Sequence, residues 1–223
     1  MGEHVTFRSN GHTCDGYIAG SGPGVLVIQE WWGLVPHIRD VVDRFAAAGF
    51  TALAPDLYHG SSSTEPDGAG KLMMGLNIEQ AGKDMSGAID LLVQRSGHAK
   101  VGVVGYCMGG GLALVVAAQR PDAVAACAPY YGVIPWPSAQ PDLSAITATV
   151  VGEYAEHDDF ANPEATRALE GRLRGLGKDA TMHIHPGTHH AFFNDSRPDV
   201  FDAAAAAEAW DRTTSLFAAT LSA

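Results

Sequence analysis

One segment constrains this chain more than any other. Residues 100–112 read KVGVVGYCMGGGL. The apolar run of Val101, Val103 and Val104 leads into Gly105-x-Cys107-x-Gly109, and a Leu/Ala/Val stretch follows over 112–118. That pattern is a strand, a tight turn and a helix with a thiol at the apex. In a G-x-S-x-G nucleophile elbow, small residues flank the nucleophile because the turn is sharp and the helix packs close to the strand. Cys107 stands where that serine would be. A thiol there lies at a helix N-terminus, whose partial positive charge and free N–H groups favour the thiolate. A free cysteine is ordinarily a small buried hydrophobe. The surrounding glycines are what make Cys107 a candidate nucleophile.

The rest of the chain supplies a frame for such an elbow. Residues 5–19 alternate around Asn10-Gly11, a strong hairpin signal. The continuous β-branched run 25–28 predicts a strand buried on both faces, ending at Gln29-Glu30-Trp31-Trp32-Gly33. Ile38, Val41, Val42 and Phe45 recur at helical spacing over 36–48, with Gly49 as a stop. A short strand over 50–54 precedes a Ser/Gly/Pro-rich stretch, 56–69, which reads as a surface loop. A helix is expected over 77–95. Beyond the elbow the pattern predicts strands at 124–131, 145–152 and 180–185, an acidic loop over 153–162, and helices over 163–176 and 200–221. Strands alternating with helices imply a mainly parallel sheet with helices on both faces, edged by the antiparallel opening hairpin. No repeat or long linker divides residues 1–223, so a single α/β domain is expected.

Composition narrows the function. A formal net charge of −11 with no basic patch disfavours nucleic acid. Three cysteines are too few and odd in number for a disulfide framework. No apolar run reaches the roughly 18 residues of a membrane span, and residues 1–4 lack the look of a signal peptide. A cytoplasmic protein, monomeric or a small homo-oligomer, acting on a small molecule is the expectation.

A cysteine nucleophile needs a base, a group to orient the base, and donors for an oxyanion. The chain order nucleophile, acid, histidine is present. His189 and His190 follow the 180–185 strand; Asp158 and Asp159 follow the 145–152 strand. Either member of each pair fits on spacing. Glu30, at the end of the first parallel strand, faces the same edge as Cys107 and fits either a hydrogen bond to the resting S–H or an ordinary strand-end carboxylate in water. Oxyanion donors are expected from the backbone N–H groups of Met108 and Trp31. Trp31, Trp32, Tyr106 and Phe192 fit either an apolar substrate pocket or ordinary core. His157, His183, His185 and His189 lack the spacing of a metal centre, and no metal or cofactor is expected.

Taken together, these segments resemble the dienelactone hydrolase family. Gly105-Tyr106-Cys107-Met108-Gly109-Gly110 is similar to its elbow, Gln29-Glu30-Trp31-Trp32-Gly33 to its first strand end, and residues 52–58, ALAPDLY, to a further family segment. Asp158-x-Phe160 and His190-Ala191-Phe192 resemble the segments carrying its acid and base. The resemblance implies an α/β-hydrolase fold, Asp158 and His190 as the functional members of their pairs, Glu30 paired with the resting cysteine, and hydrolysis of a lactone or ester through a Cys107 thioester without cofactor. It also exposes two departures. Family members acting on dienelactone hold its carboxylate with arginines, one of them four residues after the histidine. This chain has Asn194 there, and only Lys71 and Lys83 over 56–84. A missing guanidinium removes a bidentate clamp that Asn or Lys does not copy. General carboxylesterase or thioesterase activity is the alternative reading, and a non-catalytic ligand-binding or redox-sensing protein of the same fold is a further one.

Overall fold

The computed structural model describes residues 2–221. The hairpin forms as read: β1 (Glu3–Ser9) and β2 (His12–Gly20) pair antiparallel. Asn10 (φ 41°) and Gly11 (φ 105°) supply the two positive φ values that a two-residue turn of this hand requires. Next come β3 (Gly24–Ile28), α1 (Pro36–Ala47), β4 (Thr51–Pro55), α2 (Pro66–Met74) and α3 (Ile78–Ser96). The elbow joins β5 (Val101–Tyr106) to α4 (Met108–Gln119). β6 (Val124–Tyr130), β7 (Thr149–His157), α5 (Pro163–Gly175), β8 (Ala180–His189) and α6 (Ala203–Leu221) complete the chain.

The eight strands form one sheet in the order β1-β2-β4-β3-β5-β6-β7-β8. β2 pairs antiparallel with β1 and β4; every later pairing is parallel. All residues of β3, β4 and β5 are buried, which is why their sequences run apolar without alternation. α1 and α6 pack on one face of the sheet, where Phe45 meets Trp210 and Phe217; α3, α4 and α5 pack on the other. α4 is buried from Met108 to Ala117, so its apolar character on every side marks a central helix rather than a membrane one. No helix among the described residues is long and apolar enough to cross a membrane.

Three elements depart most from the sequence reading. Residues 56–69 are not all loop, because α2 starts inside them: Pro66 takes the first helical position, Asp67 lies in the first turn, and Ala69 is buried against the body of the protein. β7 starts at Thr149 and runs on to His157, and β8 extends to His189. The two strands stay paired through His157 and His189, so ladder hydrogen bonds carry them past the point where apolar alternation ends.

Candidate active site

The carboxyl ends of β3, β5, β7 and β8 lie along one edge of the sheet, and each delivers one chemistry-bearing side chain there. This is the edge where open α/β sheets hold ligands.

Cys107 sits at the bend between β5 and α4 with φ 55° and ψ −118°. For a non-glycine residue that conformation costs about 1–3 kcal/mol, and only surrounding contacts can hold it. Those contacts are present. The Cys107 N–H donates to the Tyr130 carbonyl at 3.1 Å, and the Cys107 carbonyl accepts from Gly110 at 2.9 Å and Val133 at 3.2 Å. The glycines permit the close approach. A Cβ on Gly105 would collide with the Gly109 carbonyl, and one on Gly109 with the Ile28 carbonyl. Met108 is the first residue of α4, so its N–H has no acceptor within the helix.

Asp158 and His190 meet directly. His190 Nδ1 lies 2.7 Å from Asp158 Oδ2. The other oxygen, Asp158 Oδ1, accepts from the backbone N–H groups of Phe160 (2.8 Å) and Ala161 (2.9 Å), so the carboxylate is fixed at both ends. Desolvation acts to raise the Asp158 pKa, but the His190 bond and charge and the two backbone donors outweigh it and hold it below the usual carboxylate value. Burial likewise acts to lower His190; its bonds to Asp158 and Cys107 and the charges of both overcome this and push it up to about 10. The imidazole is held by Tyr131 on one side, ring centroids 5.0 Å apart, and by the edge of Phe160 at 5.4 Å. Asp159 and His189 are exposed on the rim of the same cavity, but neither joins the pair: His189 lies against His157.

Glu30 is 1% exposed. Burial is the main cause of a pKa pushed up to about 7, opposed by the His190 and Arg197 charges and by a hydrogen bond from Asn194. That bond runs from Asn194 Nδ2 to Glu30 Oε2 at 2.8 Å. Asn194 is itself oriented, its Oδ1 accepting from the Ser196 N–H and hydroxyl.

A cavity of about 290 Å³ opens over these groups, lined by Glu30, Cys107 and His190. Trp31 and Trp32, packed edge to face with centroids 4.9 Å apart, form part of its wall, with Met73, Val133 and Val200 adding apolar surface. Tyr106 and Phe192 do not line it. Both are fully buried beneath, Tyr106 stacked on Phe193 and Phe192 against Tyr131 and His185. His183 and His185 stay on the β8 strand, and His185 pairs with buried Glu153 at 2.7 Å.

The sequence profile of the dienelactone hydrolase family matches residues 15–221. The chain belongs to the dienelactone hydrolase family. Among similar proteins, Protein usf of Aquifex pyrophilus is 36% identical over 97% of this chain and 98% of its own length. Carboxymethylenebutenolidase 1 of Cupriavidus pinatubonensis is 32% identical over 97% of this chain and 96% of its own. A dienelactone hydrolase-like promiscuous phosphotriesterase from metagenomic libraries superposes with a TM-score of 0.85 at 21% identity, covering 99% of this chain and 98% of that one. Such structural likeness bears on the fold alone.

Sequence reasoning missed two residues of this dienelactone hydrolase family site. Tyr131, at positive φ (38°), backs the imidazole, yet it reads as the last apolar residue of a strand. Arg197 reaches the cavity wall, although nothing in its local pattern places it there.

Proposed function

We propose that this chain hydrolyses a carboxylic ester or lactone by acyl transfer to Cys107. The observation that carries the reading is the His190–Asp158 pair, closed at 2.7 Å and opening onto the same cavity as a thiol held at an elbow. In this account Cys107, bonded to His190, gives its proton to that imidazole, with Glu30 the buried carboxylate beside the pair. The Sγ lone pair then forms a bond to the acyl carbon, and the carbonyl π pair moves to oxygen. The N–H groups of Met108 and Trp31 hold that oxyanion; one such donor is worth about 3 kcal/mol in other acyl-transfer enzymes. Collapse breaks the C–O bond, and His190 gives its proton to the leaving alkoxide or enolate. Water, losing a proton to the same imidazole, adds to the thioester, and C–S cleavage releases the acid. Asp158 accepts from Nδ1–H throughout, which keeps Nε2 free for these transfers.

The cavity suits a small substrate of low charge. Its apolar wall favours an uncharged acyl group, Asn194 is committed to Glu30, and Arg197, the one Lys or Arg among its lining residues, already pairs with Asp199 at 3.1 Å. Cys107→Ala is expected to abolish turnover of small neutral esters while leaving the unfolding temperature near that of the parent. Wild-type-like turnover in that variant would end the proposal. A panel pairing a neutral ester with an anionic lactone of similar size distinguishes an esterase from a lactonase that selects carboxylates.

A further inference from the structure

A second cluster of cysteine, histidine and aspartate lies apart from the cavity. Cys14 projects from β2, His59 from the turn after β4, and Asp84 from α3, and one ligand atom from each lies within 4.8 Å of the other two. Cys14 is 1% exposed, so no acyl substrate can reach it, and this cluster is not a second nucleophilic site. Its geometry is that of a ligand set. Asp84 is fully buried, and its Oδ1 is held by the Ser9 hydroxyl and by Gln80 Nε2 at 2.8 Å. Its Oδ2 accepts no hydrogen bond. His59 Nε2 stands 3.0 Å from that oxygen as an ion-pair contact, without hydrogen-bond geometry. Two donor atoms close together but misaligned for a proton between them are what neighbouring ligands on one cation look like. In a tetrahedral zinc site, bonds of about 2.0–2.3 Å put ligand atoms roughly 3.3–3.6 Å apart. His59, the exposed member of the three, sits on a turn at φ 49°.

We propose that Cys14, His59 and Asp84 bind a zinc-class divalent cation with one position left for water. A thiolate, an imidazole and a carboxylate together suit Zn²⁺, and they exclude Mg²⁺ and Ca²⁺, which take oxygen ligands. Binding deprotonates Cys14, the proton passing to solvent, and the S–metal bond takes the place of the S–H bond. The Ser9 and Gln80 bonds orient the aspartate, as outer partners do for metal ligands. The ion would tie the N-terminal hairpin, the turn after β4 and α3 together, a structural role that does not depend on the proposed hydrolysis.

The test titrates Co²⁺, a spectroscopic stand-in for Zn²⁺, into the full chain carrying Cys107→Ser, so that the cavity thiol contributes nothing. One equivalent is expected to give a thiolate-to-cobalt charge-transfer band with the intense visible bands of a four-coordinate ion, and Zn²⁺ to bleach them. Adding Cys14→Ser removes the charge-transfer band. Adding His59→Gln, an exposed change that spares the core, weakens binding by more than the roughly 10–100-fold loss typical of an outer partner. Zn²⁺ then raises the unfolding temperature of the Cys107→Ser parent but not of its His59→Gln derivative, whose metal-free unfolding temperature matches the parent's. The proposal is overturned by absence of the charge-transfer band, which is the result for an ion pair only. It is equally overturned by a band that survives Cys14→Ser, or by binding that His59→Gln leaves unchanged.

Discussion

Glu30 carries a stability cost that depends on pH, and Glu30→Gln should remove it. The carboxyl is fully buried at the carboxyl end of β3, and its pKa rises from the usual 4.5 to about 7, chiefly through desolvation. At 1.36 kcal/mol per pH unit, that rise corresponds to about 3 kcal/mol against the ionised folded state. The sign follows from proton counting. Below about pH 4.5 the folded and unfolded chains both hold the proton, and the group costs nothing. Between 4.5 and about 7 the unfolded chain releases the proton while the folded one keeps it, so stability falls as pH rises; above 7 the whole cost is present. The amide of the variant would mimic the protonated carboxyl and still accept from Asn194 Nδ2. Thermal unfolding of parent and variant across this range should therefore coincide near pH 4.5 and separate with rising pH. The variant should unfold roughly 6–12 °C higher at about pH 8, at 2–4 °C per kcal/mol for a chain of this size. The groups that face Glu30 are His190, Arg197 and Asn194, and its charge in turn disfavours ionisation of Tyr106 and Tyr131. The two cations act to hold Glu30 ionised, so any loss of the His190 charge enlarges the effect. Other titrating side chains, such as buried His37, are common to both proteins and cancel in the difference. A difference that stays flat between about pH 5 and 8 would refute the reasoning.

Two further expectations follow from the same geometry. Asp158→Asn keeps an acceptor for Phe160 and Ala161 but presents N–H to His190 Nδ1, forcing the tautomer that leaves Nε2 protonated. A fall in kcat of about 10⁴ is expected, as for the equivalent change in a serine protease triad, with little change in the urea midpoint; kcat within tenfold of the parent would contradict the assigned role. Gly105→Ala puts a methyl group into the Gly109 carbonyl, so backbone must move rather than a side chain. A loss of at least about 3 kcal/mol, the upper end for overpacking, is expected in urea unfolding, and near-parental stability would show that the elbow is looser than these contacts require.

Much of this architecture is readable before folding because its strongest signals are local. Asn10-Gly11 dictates a hairpin, the apolar runs of β3 and β5 dictate buried strands, and the glycines around Cys107 dictate a close helix–strand contact. Signals fail where tertiary contacts decide. The helix Pro66–Met74 has a turn-rich lead-in, and packing of its Ala69 side secures it. β7 and β8 outrun their apolar alternation because each supplies the other's hydrogen bonds. Asn194 reads as a loop residue, and its role as the donor to Glu30 spans 164 positions that no periodicity connects.

The two cysteine, histidine and aspartate clusters show where residue type stops being informative. Both draw their members from separate elements, and both set an imidazole beside a carboxylate, at 2.7 Å for His190 and Asp158 and at 3.0 Å for His59 and Asp84. What divides them is the setting of the sulfur. Cys107 occupies a left-handed bend at the start of a helix, on the wall of a cavity of about 290 Å³. Cys14 lies within a strand, 1% exposed, with its hydrogen bonds directed to the Asp15 and Asp56 carbonyls. Burial raises the Cys14 pKa, with the Asp84 and Asp56 charges adding to the rise, so without a cation Cys14 stays a thiol at neutral pH. A nucleophile needs access and helix-terminal N–H groups for the anion it makes; a ligand needs only converging donors and a cation to displace its proton. The elbow glycines write the first requirement into thirteen consecutive residues, 100–112. The second is met only after β2, the turn following β4, and α3 have packed, so only the folded chain displays it.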